Sequence, residues 1–94
     1  MQFLVIGYDG EDAGALERRM KSREKHLERI EQLKKSGNFI FGGAMLDDNG
    51  KMIGSTIVYE FPDRKDLDKI LKDEPYIVGD VWKKVTIYPY RLAK

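Results

Sequence analysis

From Gln2 to Tyr8 the chain is apolar and β-branched, and it then breaks into the Gly/Asp-rich stretch Asp9-Gly10-Glu11-Asp12, the pattern of a buried first strand running into a loop. The period then changes. Between about Ala15 and Lys35, Leu16, Met20, Leu27, Ile30 and Leu33 recur at helical spacings among charged residues, which predicts an amphipathic helix of about five turns with those side chains as its buried stripe. Ser36-Gly37-Asn38 closes it, glycine being the usual left-handed cap. A second strand is expected over Phe39–Leu46. Asp47-Asp48-Asn49-Gly50 reads as a hairpin turn in which Asn-Gly takes the positive φ angles of a two-residue loop, and a third strand follows over Met52–Phe61. Asp63 is a plausible N-cap for a short second helix whose buried stripe is Leu67, Ile70 and Leu71. Pro75 stops that helix, because it has no N–H and clashes with the preceding turn. A last strand spans Val81–Tyr90, with Trp82, Tyr88 and Tyr90 on one face.

The order βαββαβ predicts an α+β fold: a ferredoxin-like plait with a four-stranded antiparallel sheet and two helices on one face, forming a single domain over residues 1–94. The other face of such a sheet is bare. A strand with one wet face alternates apolar with polar, yet Phe3 and Val5 alternate with Leu4 and Ile6, and Phe39, Ile40 and Phe41 are contiguous. The four residues after Tyr90 are too few to cover it, so a homodimer packed through the open sheet face is expected.

Charge then narrows the classes of function. Lys plus Arg number 17 against 16 for Asp plus Glu, which supplies no basic field for a phosphate backbone, so nucleic acid is not expected as a partner. No apolar run approaches the ~20 residues of a membrane span, and Met1–Ile6 lacks the basic start and cleavage site of a leader, so a soluble cytoplasmic protein away from membranes is expected. Cysteine is absent, which removes thiolate nucleophiles, disulfides and Cys-based zinc sites. With one histidine and no cysteine, no metal site and no cofactor are expected.

The single histidine, His26, is the best lead to chemistry, since imidazole alone among side chains ordinarily exchanges protons near neutral pH. Arg19, Ser22, Arg23 and His26 stand three or four residues apart and share a helix face, while His26, Ile30 and Leu33 place the imidazole at the rim of the apolar stripe. A carboxylate-rich turn, Asp73-Glu74-Pro75-Tyr76, offers two acids that can orient the ring, Glu74 or Asp73. In that reading the acid makes His26 a general base, and Arg19 and Arg23 stabilise an anionic substrate. Ser55 and Tyr76 are further candidate substrate contacts. Ser55 lacks the strand-to-helix elbow of a hydrolase nucleophile, and Gly42-Gly43 reads equally as a strand bulge or a close approach to a ligand. The competing readings are plain: a lone helical histidine is more often packed or solvated than catalytic, and arginines in a chain 35% charged commonly form surface pairs.

Arg19 with Arg23-Glu24-Lys25-His26-Leu27, Gly37, Gly43-Ala44, Gly54-Ser55-Thr56, Glu60-Phe61, Glu74-Pro75-Tyr76 and Val85-Thr86-Ile87-Tyr88-Pro89-Tyr90 follow one another in an order that resembles the YciI-like proteins (YCII-related domain) over almost the full length. The resemblance implies a dimeric α-β barrel with a cleft beside a histidine–acid pair. The family includes a chlorohydroxyquinol dehydrochlorinase, which implies lyase-like or isomerase-like acid/base chemistry on a small, anionic or aromatic molecule. Where many members carry Asp before Pro-Tyr this chain has Glu74, which keeps the charge and adds a methylene. The alternative is a non-catalytic small-molecule-binding or interaction domain using the same dimer cleft.

Overall fold

The computed structural model describes residues 1–93. Its elements are β1 (Gln2–Asp9), α1 (Ala15–Lys35), β2 (Phe39–Leu46), β3 (Met52–Glu60), α2 (Arg64–Lys72), α3 (Pro75–Val78) and β4 (Trp82–Tyr90). The strands form one sheet in the order β2-β3-β1-β4, with β1 antiparallel to β3 and β4 and β2 antiparallel to β3. This is the expected α+β ferredoxin-like plait. Among the described residues no helix is long and apolar enough to cross a membrane.

Local chemistry explains most boundaries. The α1 terminus is a Schellman motif, with Asn38 N–H donating to Leu33 O and Gly37 N–H to Lys34 O while Gly37 sits at φ +80°. Asp63 caps α2 by accepting from Asp66 N–H. The β2–β3 hairpin differs from expectation: Gly50 takes a positive φ and Asn49 does not, and Asp47 Oδ1 instead accepts from the N–H groups of Asn49 and Lys51. A third helix is the larger departure. Pro75 ends α2's run but also begins α3, where its missing N–H is no loss at the first helical position.

Phe3, Val5, Ile57 and Tyr59 on one sheet face pack against Ile30 and Leu33 of α1, Leu67 and Leu71 of α2, and Tyr76, Val81 and Trp82. Trp82 was expected to share a face with Tyr88 and Tyr90, and it does not. The pairing of β1 with β4 slips between Tyr8 and Asp9, so that Tyr8 opposes Lys84 but Asp9 opposes Trp82. One extra residue reverses the alternation beyond it. Trp82 therefore turns into the core, its ring lying where a Cβ on Gly7 would be, while Tyr88 and Tyr90 stay on the open face.

The stripe of α1 also needs correcting. Leu16, Met20 and Leu27 are exposed, Met20 by 50%, and the buried positions are Ala15, Arg19, His26, Ile30 and Leu33. The helix has turned its polar side inward over its first half, because Arg19 and His26 find charged partners there.

Candidate functional site

Three elements converge on His26. The ring projects from the middle of α1, only 7% exposed, and Nδ1 lies 2.8 Å from Glu74 Oε1. Glu74 is itself 1% exposed and caps α3, its Oε2 accepting from Tyr76 N–H at 2.7 Å. A carboxylate that accepts at both oxygens requires a donor at Nδ1, so in the neutral ring the lone pair is on Nε2. Nε2 has no hydrogen-bond partner among the described residues and is not sealed from solvent. Tyr76 stacks flat on the imidazole, centroids 3.9 Å apart and planes 14° apart, and Trp82 meets both rings edge-on. The ring is thus held by one hydrogen bond and two aromatic contacts.

Of the two acids the sequence leaves open, Glu74 is the one that reaches His26. Asp73 is exposed at the end of α2, where its backbone carbonyl accepts from Arg29. Asp73 borders a different groove, between α1 and α3, with Arg18, Lys21 and Lys25. The physical reason is direction: the residue that caps α3 must turn its side chain back over the first turn of that helix, toward α1, and position 74 is the cap.

A cavity of about 170 Å³ opens beside the pair. Arg19, Arg23, His26 and Leu27 of α1, Gly42, Gly43 and Ala44 of β2, Ser55 and Ile57 of β3, and Tyr76 line it. Of the candidate residues, His26, Arg19, Arg23, Ser55 and Tyr76 line this cavity, Glu74 lies buried behind His26, and Asp73 is elsewhere. The bulge in β2 lies at Ile40 and not at the glycines, which instead form bare wall. A Cβ on Gly42 would meet the backbone of Thr56 and Ile57.

The two arginines are not equivalent. Arg19 is 3% exposed, and its Nη1 donates to Asp9 Oδ1 and Oδ2 at 3.0 and 3.1 Å while Nη2 donates to Ser55 Oγ at 2.8 Å. Its guanidinium also sits 4.7 Å from the Tyr76 ring centre. Asp9 neutralises this buried cation, so Arg19 stands in the cavity wall as one half of an ion pair and not as a free charge. Arg23 is exposed at the cavity rim and makes no ion pair or hydrogen bond among the described residues. Burial raises the pKa of the Tyr76 phenol, and the charges of Arg19 and Arg23 oppose the rise. Asp9 is the residue the sequence pattern hid. It reads as the first polar residue of a loop, and only the slip in β4 pairing, invisible in composition, keeps it in the sheet beside Arg19.

The whole arrangement rests on a chain that matches the model of the YCII-related domain over residues 1–91. The protein belongs to that family. This YCII-related chain is 28% identical over 94 residues to protein YciI of Escherichia coli O6:H1, spanning 94% of this chain and 96% of that one. It is also 28% identical over 97 residues to an uncharacterised Haemophilus influenzae protein, covering 97% of each. Among solved structures it is similar to the 5-chloro-2-hydroxyhydroquinone dehydrochlorinase of Burkholderia phenoliruptrix AC1100 in complex with 2,5-dihydroxybenzoquinone, with TM-score 0.84, 21% identity, and coverage of 99% of this chain and 96% of that chain. A dimeric ferredoxin-like protein of unknown function from Jannaschia sp. CCS1 aligns with TM-score 0.56 at 9% identity, covering 97% and 98% of the two chains. At such identities these structures speak for the fold of this YCII-related protein.

Proposed function

We propose that this protein is an acid/base enzyme of lyase or dehydrochlorinase type that acts on a small, oxygen-bearing ring compound, as a cytoplasmic homodimer closed over the open sheet face. The observation that carries the reading is the buried His26–Glu74 hydrogen bond at 2.8 Å on the wall of a cavity. Glu74 holds the ring tautomer and stabilises the imidazolium that forms when Nε2 takes a proton from the substrate. The electron pair left behind moves into the ring system and expels a leaving group such as chloride, so one proton and one anion depart together. Arg23 at the rim offsets the negative charge of the substrate. The volume suits a single ring, since an engineered cavity of about 150 Å³ in another protein admits benzene. A dehydrochlorinase with a dihydroxybenzoquinone bound shares this fold, which supports the same class of ligand here. The lack of cysteine fits a reducing compartment.

The test is chloride release from 5-chloro-2-hydroxyhydroquinone. Turnover is expected with the native chain, and His26→Asn is expected to lower it about 100-fold or more while leaving the circular dichroism spectrum unchanged. Binding of 2,5-dihydroxybenzoquinone by both proteins with no chloride released by either would overturn catalysis and leave a ligand-binding domain.

A further inference from the structure

We propose that Ser55 is the donor that receives the oxyanion of the ligand in this cavity, and that Asp9, acting through Arg19, is the positioning residue that aims it. The inference rests on the acid/base reading of His26 and extends it to the other side of the ligand. Ser55 lies on β3 opposite Gly7 and Ala44 and is 3% exposed. Its Oγ accepts from Arg19 Nη2 at 2.8 Å. A guanidinium only donates, so this bond uses a lone pair of Ser55 and leaves the hydroxyl hydrogen to be placed elsewhere. Among the described residues that hydrogen meets no acceptor, although Ser55 is almost wholly buried and lines the cavity. Folded proteins seldom leave a buried donor without a partner, and the cavity is where a partner fits.

The bond from Arg19 also makes the hydroxyl a better donor. Hydrogen bonds in series polarise one another, and here the first donor carries a full charge. Asp9 decides what that charge does. Both its oxygens hold Nη1, within a pair whose side chains are each 3% exposed, so the guanidinium is neutralised and Nη2 is directed at Ser55 instead of reaching for the ligand. The order of control runs from Asp9 to Arg19 to Ser55 to the ligand. The inner end of the cavity therefore presents a neutral, polarised O–H and no bare cation. That favours a single phenolate or enolate oxygen on a flat ring over a carboxylate or phosphate, whose second and third oxygens would lie buried without partners.

The probe is 4-nitrophenol, a single ring whose phenolate absorbs in the visible. When it binds, its proton passes to His26 and its oxygen accepts from Ser55. The native protein is expected to hold the probe as phenolate at a lower pH than free solution does, and to bind it more tightly than benzoate. Ser55→Ala should weaken phenolate binding about tenfold and move its absorbance titration back toward that of free probe. Ser55→Thr should restore both, and Asp9→Asn, which leaves Arg19 un-neutralised and free to reach the ligand, should remove the preference for the phenolate over benzoate. Native titration and affinity in Ser55→Ala, equal affinity of the native chain for benzoate, or no binding of the probe at millimolar concentration would overturn the proposal. Ser55→Ala keeps the Asp9–Arg19 pair and carries the test alone if Asp9→Asn does not fold. His26→Asn separates the two readings: loss of phenolate capture there with none in Ser55→Ala removes the role of Ser55 and leaves the acid/base pair standing.

Discussion

Glu74 does two jobs with one carboxylate, orienting His26 through Oε1 and capping α3 through Oε2, so stability and chemistry share a side chain. Tyr59 is the opposite case. It is fully buried, its hydroxyl has no partner among the described residues, and burial, with the nearby Glu74 charge, raises the phenol pKa well above its ordinary value. A buried hydroxyl without a partner costs about 1–3 kcal/mol, so Tyr59→Phe is expected to raise the unfolding free energy by about 1 kcal/mol in urea melts at pH 7. The sign with pH follows from the raised value. Below about pH 10 both folded and unfolded phenols are protonated, whereas above it only the unfolded one ionises readily and the native state loses stability. The advantage of Tyr59→Phe should therefore grow between pH 8 and pH 10.5. An unchanged or lower stability in the variant would mean that the hydroxyl is satisfied.

At the scale of elements, the sheet and the two longer helices were legible because their signals are long: period-two apolar runs, a 21-residue helical segment and an Asp N-cap. Features decided by one residue were not. Pro75 reads as a stop, yet it is also a favoured first residue of a helix, so α3 was hidden by the very residue that starts it. The slip opposite Asp9 reverses the alternation of β4 and sends Trp82 inward, and no run of apolar residues announces it. His26, Glu74 and the cavity residues were legible as residue types, but a stripe chosen by apolarity alone favoured Leu16 and Met20 over Arg19 and His26. Gly7 tests the inward turn of Trp82. A Cβ there would come within 2.2 Å of the Trp82 ring, which is backed by Tyr76 at 5.7 Å and so by the His26 stack. Gly7→Ala is expected to cost about 1–3 kcal/mol by overpacking, measured by thermal melts, and to alter the near-ultraviolet circular dichroism of the tryptophan. A variant as stable as the native chain with an unchanged aromatic spectrum would show that Trp82 can leave this position freely.

For the molecule as a whole, the question is what the sheet does with the face its helices leave open. Leu4, Val58, Phe41 and Tyr88 are cross-strand partners on that face, joined by Tyr8 and Tyr90, and Tyr88 is 53% exposed. Association edge to edge is poorly served. On the outer strand β4, Pro89 lacks an N–H and Lys83 and Lys84 carry charge, while the other outer strand, β2, is interrupted at Ile40. Face-to-face contact around a two-fold axis sets the aromatic patch against its own copy, as an isologous interface requires. A stable interface covers about 800 Å² per partner with aromatic residues near its centre. The native chain is thus expected to sediment at twice its monomer mass at micromolar concentration. Phe41→Asp combined with Tyr88→Glu should sediment as a monomer with an unchanged far-ultraviolet spectrum, because both side chains lie on the surface of the single chain. A native chain that sediments as a monomer at tens of micromolar would remove the sheet-to-sheet dimer and leave the aromatic face facing water.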